Sequence, residues 1–325
     1  MRVFESMRGL AEGKGLADLS RPLLPFLLGG VLGACAPAED HKLPETEQPL
    51  IEWIDEVRGQ ILRADTGSYV SPTRGEREDF EAALNTLLSG DEIGAMDLFA
   101  GIDYELGRLV DPKRRRHYLT LREDEDRGWG SLILRENPKW SSLNIQVPHP
   151  LYDRSSLELG RFLFENKEAN SILIAGAHRH NITLSEGEIY GDADVAHYRE
   201  NIFHVISNVM ASSPKDLTVQ IHGFALENHP DFPSDPPVDV IISDGYEVMK
   251  DGGSAASVSW RLENTAFEVR RCNETWQNLC GTDNVQGQDI NQDGGSRGSF
   301  IHFEVSDDIR NDPDKRSRLV LNMLP

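Results

Sequence analysis

The chain has 325 residues, with 54 acidic and 33 basic side chains and a formal net charge of −21. That length holds one large domain, or one domain with a smaller helical appendage. The charge excludes sequence-independent nucleic-acid binding, which needs a basic footprint, and excludes docking on anionic lipid through surface charge.

Arg21 precedes an apolar run over 23–32 that is too short to span a bilayer as a mature helix. The run ends in Leu32-Gly33-Ala34-Cys35, which resembles the lipobox of bacterial lipoproteins. The resemblance implies a signal peptide over 1–34, lipidation of Cys35 as the new first residue, and a membrane anchor in the cell envelope. Ala36 stands where that family uses aspartate for inner-membrane retention, which implies the outer membrane, facing the periplasm. Either Met1 or Met7 is the start, since 1–20 exceeds a usual n-region. With Cys35 lipidated, Cys272 and Cys280 are left to pair in a compartment that permits disulfides. Residues 35–49 carry Pro37, Pro44 and Pro49 and no apolar periodicity, the composition of a tether.

Helical spacing follows in Ile51, Ile54, Val57 and Ile61, over 76–89 with Phe80, Ala83, Leu84 and Leu87 on one face, and over 95–109. These define an expected helical N-terminal region, 50–115, packed on a main domain, 116–325. Strands are expected over 117–121, 130–134 and 143–147. Beyond them come a helix over 155–164, a strand over 171–175, a helix over 195–210, and strands over 217–221 and 238–242. A helix over 254–269 and a strand over 300–305 complete the chain. This alternation predicts an α/β domain: a mixed, mostly parallel sheet with helices on both faces.

Two strands end on a histidine. Leu143, Ile145 and Val147 alternate with polar partners until Pro148 and Pro150 stop the ladder and hold His149 between them. The strand over 217–221 runs into His222-Gly223. Strand ends of open α/β sheets are where ligand and catalytic groups collect. Zinc takes imidazole nitrogens and carboxylate oxygens, and catalytic sites keep one position open. His149 and His222 are the candidate ligand pair, with Asp153, or else Glu158, as the acid. A late strand puts His302 and Glu304 on one face and Ile301 and Phe303 on the other. Taken singly, a strand-end histidine is more often structural; the pair carries the functional reading. Arg179, after the strand over 171–175, is suited to clamp a substrate carboxylate. His178, His180, Asp192, Asp194 and His197 form a rival metal set, and Asn284 and Gln286 are expected to line the cleft. No Gly-x-Ser-x-Gly elbow and no phosphate-cradling loop is present.

The motifs VPHPLYD (147–153), SSLELG (155–160), VQIHGF (219–224) and FIHFEVSDDIR (300–310) resemble those of zinc-dependent peptide-bond hydrolases with a phosphorylase/hydrolase-like fold. Among these are N-formylglutamate amidohydrolases, phage poly-gamma-glutamate hydrolases and zinc carboxypeptidases. The resemblance covers about 143–310 and implies His149 and His222 as zinc ligands, Asp153 as the acid beside them, and Glu304 as general base. The carboxypeptidase HxxE spacing is absent. The expected activity is zinc-dependent hydrolysis of an amide or peptide bond in a small peptide or N-acyl amino acid. The competing expectation is a non-catalytic periplasmic lipoprotein using the same fold for binding.

Overall fold

The computed structural model describes residues 42–182, 191–292 and 296–324. Cys35, the signal peptide expected over 1–34 and the tether as far as residue 41 lie outside the described residues. The rest of the expected tether is partly ordered: Glu45–Glu47 forms strand β1. No helix among the described residues is long and apolar enough to cross a membrane.

Helix α1 (Leu50–Gln60) buries Leu50, Trp53, Ile54 and Val57. Helix α2 (Arg74–Leu88) opens on a capping box, in which the Thr73 hydroxyl accepts from the Glu76 N–H and Glu76 accepts from the Thr73 N–H. It buries Phe80, Ala83, Leu84 and Leu87, the face the spacing marks. The helix expected over 95–109 is shorter: α3 (Glu92–Ala100) ends, Asp103 turns the chain at φ 57, and Tyr104–Asp111 is strand β2. Tyr104 and Leu106 pack into one apolar layer and Leu109, on the opposite face of the strand, into the other. The stretch 50–115 is therefore no separate helical appendage, because β2 pairs parallel with β1 and antiparallel with β3 (Arg116–Glu123) in the main sheet.

The chain continues through β4 (Ser131–Arg135), β5 (Trp140–Val147), α4 (Ser156–Asn166), β6 (Ala169–Ile174), α5 (Ile202–Met210) and β7 (Leu217–Phe224). Next come β8 (Val240–Ser243), α6 (Ser254–Glu263), β9 (Val269–Arg271), α7 (Val285–Gln292), β10 (Ser299–Ser306), α8 (Asp307–Asn311) and α9 (Pro313–Met323). Two expected helices are trimmed. The one over 195–210 begins at Ile202, where Asn201 caps the His204 N–H. The one over 254–269 stops at Glu263, and its last expected residue, Val269, opens β9.

One ten-stranded sheet results, ordered β1-β2-β3-β4-β6-β5-β7-β10-β8-β9. It is a mixed α/β sheet with helices on both faces, and β6, β5, β7 and β10 form its parallel centre. The core follows from strand alternation. Leu143, Ile145, Val147, Val219, Ile221, Ile301 and Phe303 join α1, α4, α6 and α9 in one apolar layer. Leu106, Leu121, Leu132 and Leu173 join α2, α3 and α5 in another. On the centre's second face stand Asn144, Gln146, Gln220, His222, His302 and Glu304, polar yet all buried. From β5 the chain passes through α4 to β6 on one side, then crosses through α5 to β7 on the other. That reversal leaves a crevice beyond the carboxyl ends of β5 and β7, the place where such sheets bind ligands.

Candidate metal centre

His149 lies just past the end of β5, and a tight turn brings Asp153 back beside it. The Asp153 N–H donates to the His149 carbonyl at 2.9 Å, and the Ser156 N–H donates to the Asp153 carbonyl at 2.9 Å. Ser155, at φ 64, reverses the chain into α4. From the neighbouring strand β7, His222 reaches the same point. Asp153 Oδ2 is 3.5 Å from His149 Nδ1 and 3.4 Å from His222 Nδ1. Zinc bonds of roughly 2.0–2.2 Å in a tetrahedron put neighbouring donor atoms about 3.3–3.6 Å apart, which these separations match. Ligand atoms of all three residues lie within 4.8 Å of one another. His149 Nδ1 and Asp153 Oδ2 are buried without a hydrogen-bond partner, an arrangement that costs free energy unless something binds there.

The opposite edge of each ring selects the tautomer. His149 Nε2 meets Asp194 Oδ1 at 2.9 Å, and His222 Nε2 meets Gln220 Oε1 at 2.7 Å. Both acceptors draw the ring proton to Nε2, leaving the Nδ1 lone pair directed at Asp153, the outer-sphere arrangement typical of metal-bound histidine. Charge settings differ. Burial lowers His222 to about 4, so it is neutral and ready to donate. For His149, burial opposes protonation but the Asp194 and Asp153 carboxylates outweigh it and raise it above its ordinary value. Burial would raise Asp153 and Asp194, yet their histidine partners hold both well below the usual carboxylate range.

Glu304 is paired in register with His222 across β10 and β7. Its Oε2 is buried and unpartnered. Burial, reinforced by the Asp153 charge, pushes the carboxyl well above its ordinary value, against the pull of Arg310 and Arg179. Asp153, His222, Glu304, Tyr152, Arg154 and Arg179 all border one cleft of about 750 Å³. Arg179 ion-pairs with Asp194 Oδ2 at 2.5 Å and lies over the Tyr152 ring, 5.1 Å from its centroid.

Three sequence expectations are corrected. Glu158, the substitute carboxylate, points away on α4 and ion-pairs with Arg58 of α1. Asn284 and Gln286 do not line the cleft: they are 1% and 0% exposed and bond to Gln220 behind His222. The rival metal set does not assemble as a whole: only Asp194 and His197 come together, and with His149 they form a second group whose ligand atoms lie within 4.8 Å of one another. Asp194 and His197 meet directly at 3.0 Å, while His178 and His180 flank Tyr152 and Asp192 bonds to Ser71. Cys272 and Cys280 form a disulfide, as expected. Sequence reasoning did not assign roles to Gln220 and Arg310. Gln220 shares the face of His222 by strand alternation, the one signal available. Arg310 donates to the carbonyls of Val305, Arg154 and Phe224, tying the ends of β7 and β10 to the turn after Asp153.

No family model and no curated protein matches the chain. Among solved structures it is similar to a gene product of Agrobacterium tumefaciens, at 15% identity and a TM-score of 0.39, over 56% of this chain and 86% of that one. It is similar to a bacteriophage poly-gamma-glutamate hydrolase, at 15% identity and a TM-score of 0.36, over 58% of this chain and 81% of that one. A third likeness is to the zinc-free apo form of YNDL, at 14% identity and a TM-score of 0.34, over 56% of this chain and 74% of that one.

Proposed function

We propose that the protein is a metal-dependent hydrolase of an amide or peptide bond, with His149, Asp153 and His222 holding one divalent cation, zinc by the chemistry of the donors. The observation that carries this reading is the convergence of two imidazole Nδ1 atoms on one buried carboxylate oxygen, two of those three atoms having no partner in the protein. Two neutral nitrogens and one carboxylate are a donor set that catalytic zinc uses. Held there, zinc supplies Lewis acidity, polarising a carbonyl and making water acidic enough to ionise near neutral pH.

The chain's own residues supply the rest. Glu304, with an unpartnered oxygen in the cleft and a raised proton affinity, takes a proton from the attacking water and returns it to the departing nitrogen. Arg179, held by Asp194 and stacked on Tyr152, offers N–H donors to a substrate carboxylate. The substrate class in this reading is a small peptide or N-acyl amino acid bearing a carboxylate. The lipid anchor at Cys35 and a place in the cell envelope, facing the periplasm, belong to the same proposal and rest on the lipobox alone.

The test is metal content together with release of free amine from a panel of N-acyl amino acids and α- and γ-linked glutamyl peptides. The expected result is about one equivalent of zinc, lost in His149→Ala and His222→Ala, with hydrolysis lost alongside. Equal metal content in wild type and both variants overturns the reading.

A further inference from the structure

Behind His222 lies a buried chain of amides. Gln220 Oε1 accepts from His222 Nε2 and from Asn284 Nδ2, at 2.7 and 2.5 Å. Gln220 Nε2 donates to Gln146 Oε1 at 2.8 Å and to Gln286 Oε1 at 3.3 Å. Gln286 in turn donates to the Val195 carbonyl at 2.8 Å. Every amide has one orientation that satisfies all its neighbours, so the Gln220 carbonyl has to face His222. Asn284 fixes the far end. Its Oδ1 caps α7 by accepting from the Gly287 N–H at 2.9 Å, which leaves its amide nitrogen to donate to Gln220.

Asn284 is itself held by the loop before it. Cys272 and Cys280 are joined, and the Cys280 carbonyl accepts from the Ser243 hydroxyl. Gly281, at φ +62, lies against the His302 ring so closely that a Cβ would stand 2.6 Å from it. The Asn284 N–H bonds back to the Gly281 carbonyl at 3.1 Å, and the Val285 N–H bonds to the Ala196 carbonyl at 2.9 Å.

From this arrangement, and resting on the metal reading above, we propose that Asn284 is a positioning residue. Seated by the Cys272–Cys280 disulfide and its helix cap, it acts through Gln220 to hold His222 in the tautomer whose Nδ1 lone pair faces the cation.

The experiment is zinc affinity, measured with zinc ion alone by competition against a chromophoric chelator, with folding followed by circular dichroism. Asn284→Asp is the decisive variant. Aspartate caps a helix as well as asparagine does, so α7 is kept, but it has no proton to give Gln220. The expected result is a folded protein whose zinc affinity falls roughly 10–100-fold, the range for lost outer-sphere partners. Gln220→Leu falls in the same range. In Cys272→Ser/Cys280→Ser, affinity drops and the further loss from Asn284→Asp shrinks, because coupled sites are not additive. Zinc bound by wild type and lost in His149→Ala, but held equally tightly by Asn284→Asp, overturns this inference and leaves the metal reading standing. A wild type that takes up no zinc overturns both.

Discussion

His149 and His222 bring the same imidazole to one carboxylate from opposite electrostatic settings, and the difference lies in their outer partners. Asp194 gives His149 a charge to answer; Gln220 gives His222 only a dipole. Glu304 has one oxygen, Oε2, buried without a partner, while its Oε1 lies 3.9 Å from His302 Nε2. Glu304→Gln keeps the shape and removes the exchangeable proton site, so metal content stays at the wild-type level while turnover falls about 10²–10⁴-fold. Metal analysis beside steady-state kinetics checks this; loss of metal with activity would make Glu304 a ligand. His197 gives a pH dependence. Burial disfavours its charge, but Asp194 and Asp283 outweigh that and raise it to about 9. A raised histidine stabilises the fold fully below its unfolded value near 6.5, and that contribution fades as pH climbs through about 9. Its size is roughly 3 kcal/mol at most by linkage. His197→Gln should flatten the decline in urea midpoint of the metal-free protein between those two pH values. An unchanged slope would assign the decline to other groups.

At the level of elements, strand alternation carried most of what the sequence disclosed. The prolines around His149 mark a strand end because neither can extend a ladder, and the apolar residues of β5, β7 and β10 face the core as their spacing requires. What alternation did not disclose is that the polar face of those strands is also buried, under α5 and α7. Polar residues at every second position read as solvent-facing, and Asn284 and Gln286, just after Cys280, carry no local signal that they join the amide network under that face. Glu158 shows the same limit, since only the packing of α1 on α4 brings Arg58 to it. In α1, Ile51 matched the helical spacing yet is 42% exposed, while Leu50 and Trp53 carry the buried face. Gly223 is a place where an element has no latitude. A Cβ there would stand 2.2 Å from the Arg310 guanidinium, which three backbone carbonyls hold in place. Gly223→Ala should therefore lower stability by about 1–3 kcal/mol, the range for overpacking. Urea unfolding measures it, and a neutral result would show that Arg310 can move freely.

For the whole molecule, the fold class was legible because helix and strand periods alternate along most of the chain, and one large sheet is the economical way to bury them. The merging of 50–115 into that sheet was not, because β2 pairs with partners whose positions no local pattern records. The resulting molecule puts its candidate ligands at the meeting of two central strands, where β5, β7 and the turn before α4 have to be in place together. The proposed cation binding would therefore be linked to global folding, and the linkage has a calculable size. A ligand bound only by the folded state, at 100 times its dissociation constant, adds about 2.7 kcal/mol of stability. For a chain of this length each kcal/mol moves the melting temperature by about 2 °C or slightly less. Saturating zinc should then raise the midpoint of the chelator-treated protein by roughly 4–5 °C, and chelation should reverse the rise. His149→Ala, which removes one donor and leaves its partners with nothing to share, should show no zinc-dependent rise at all. A rise of equal size in that variant would mean that zinc stabilises the protein from somewhere other than the crevice between β5 and β7.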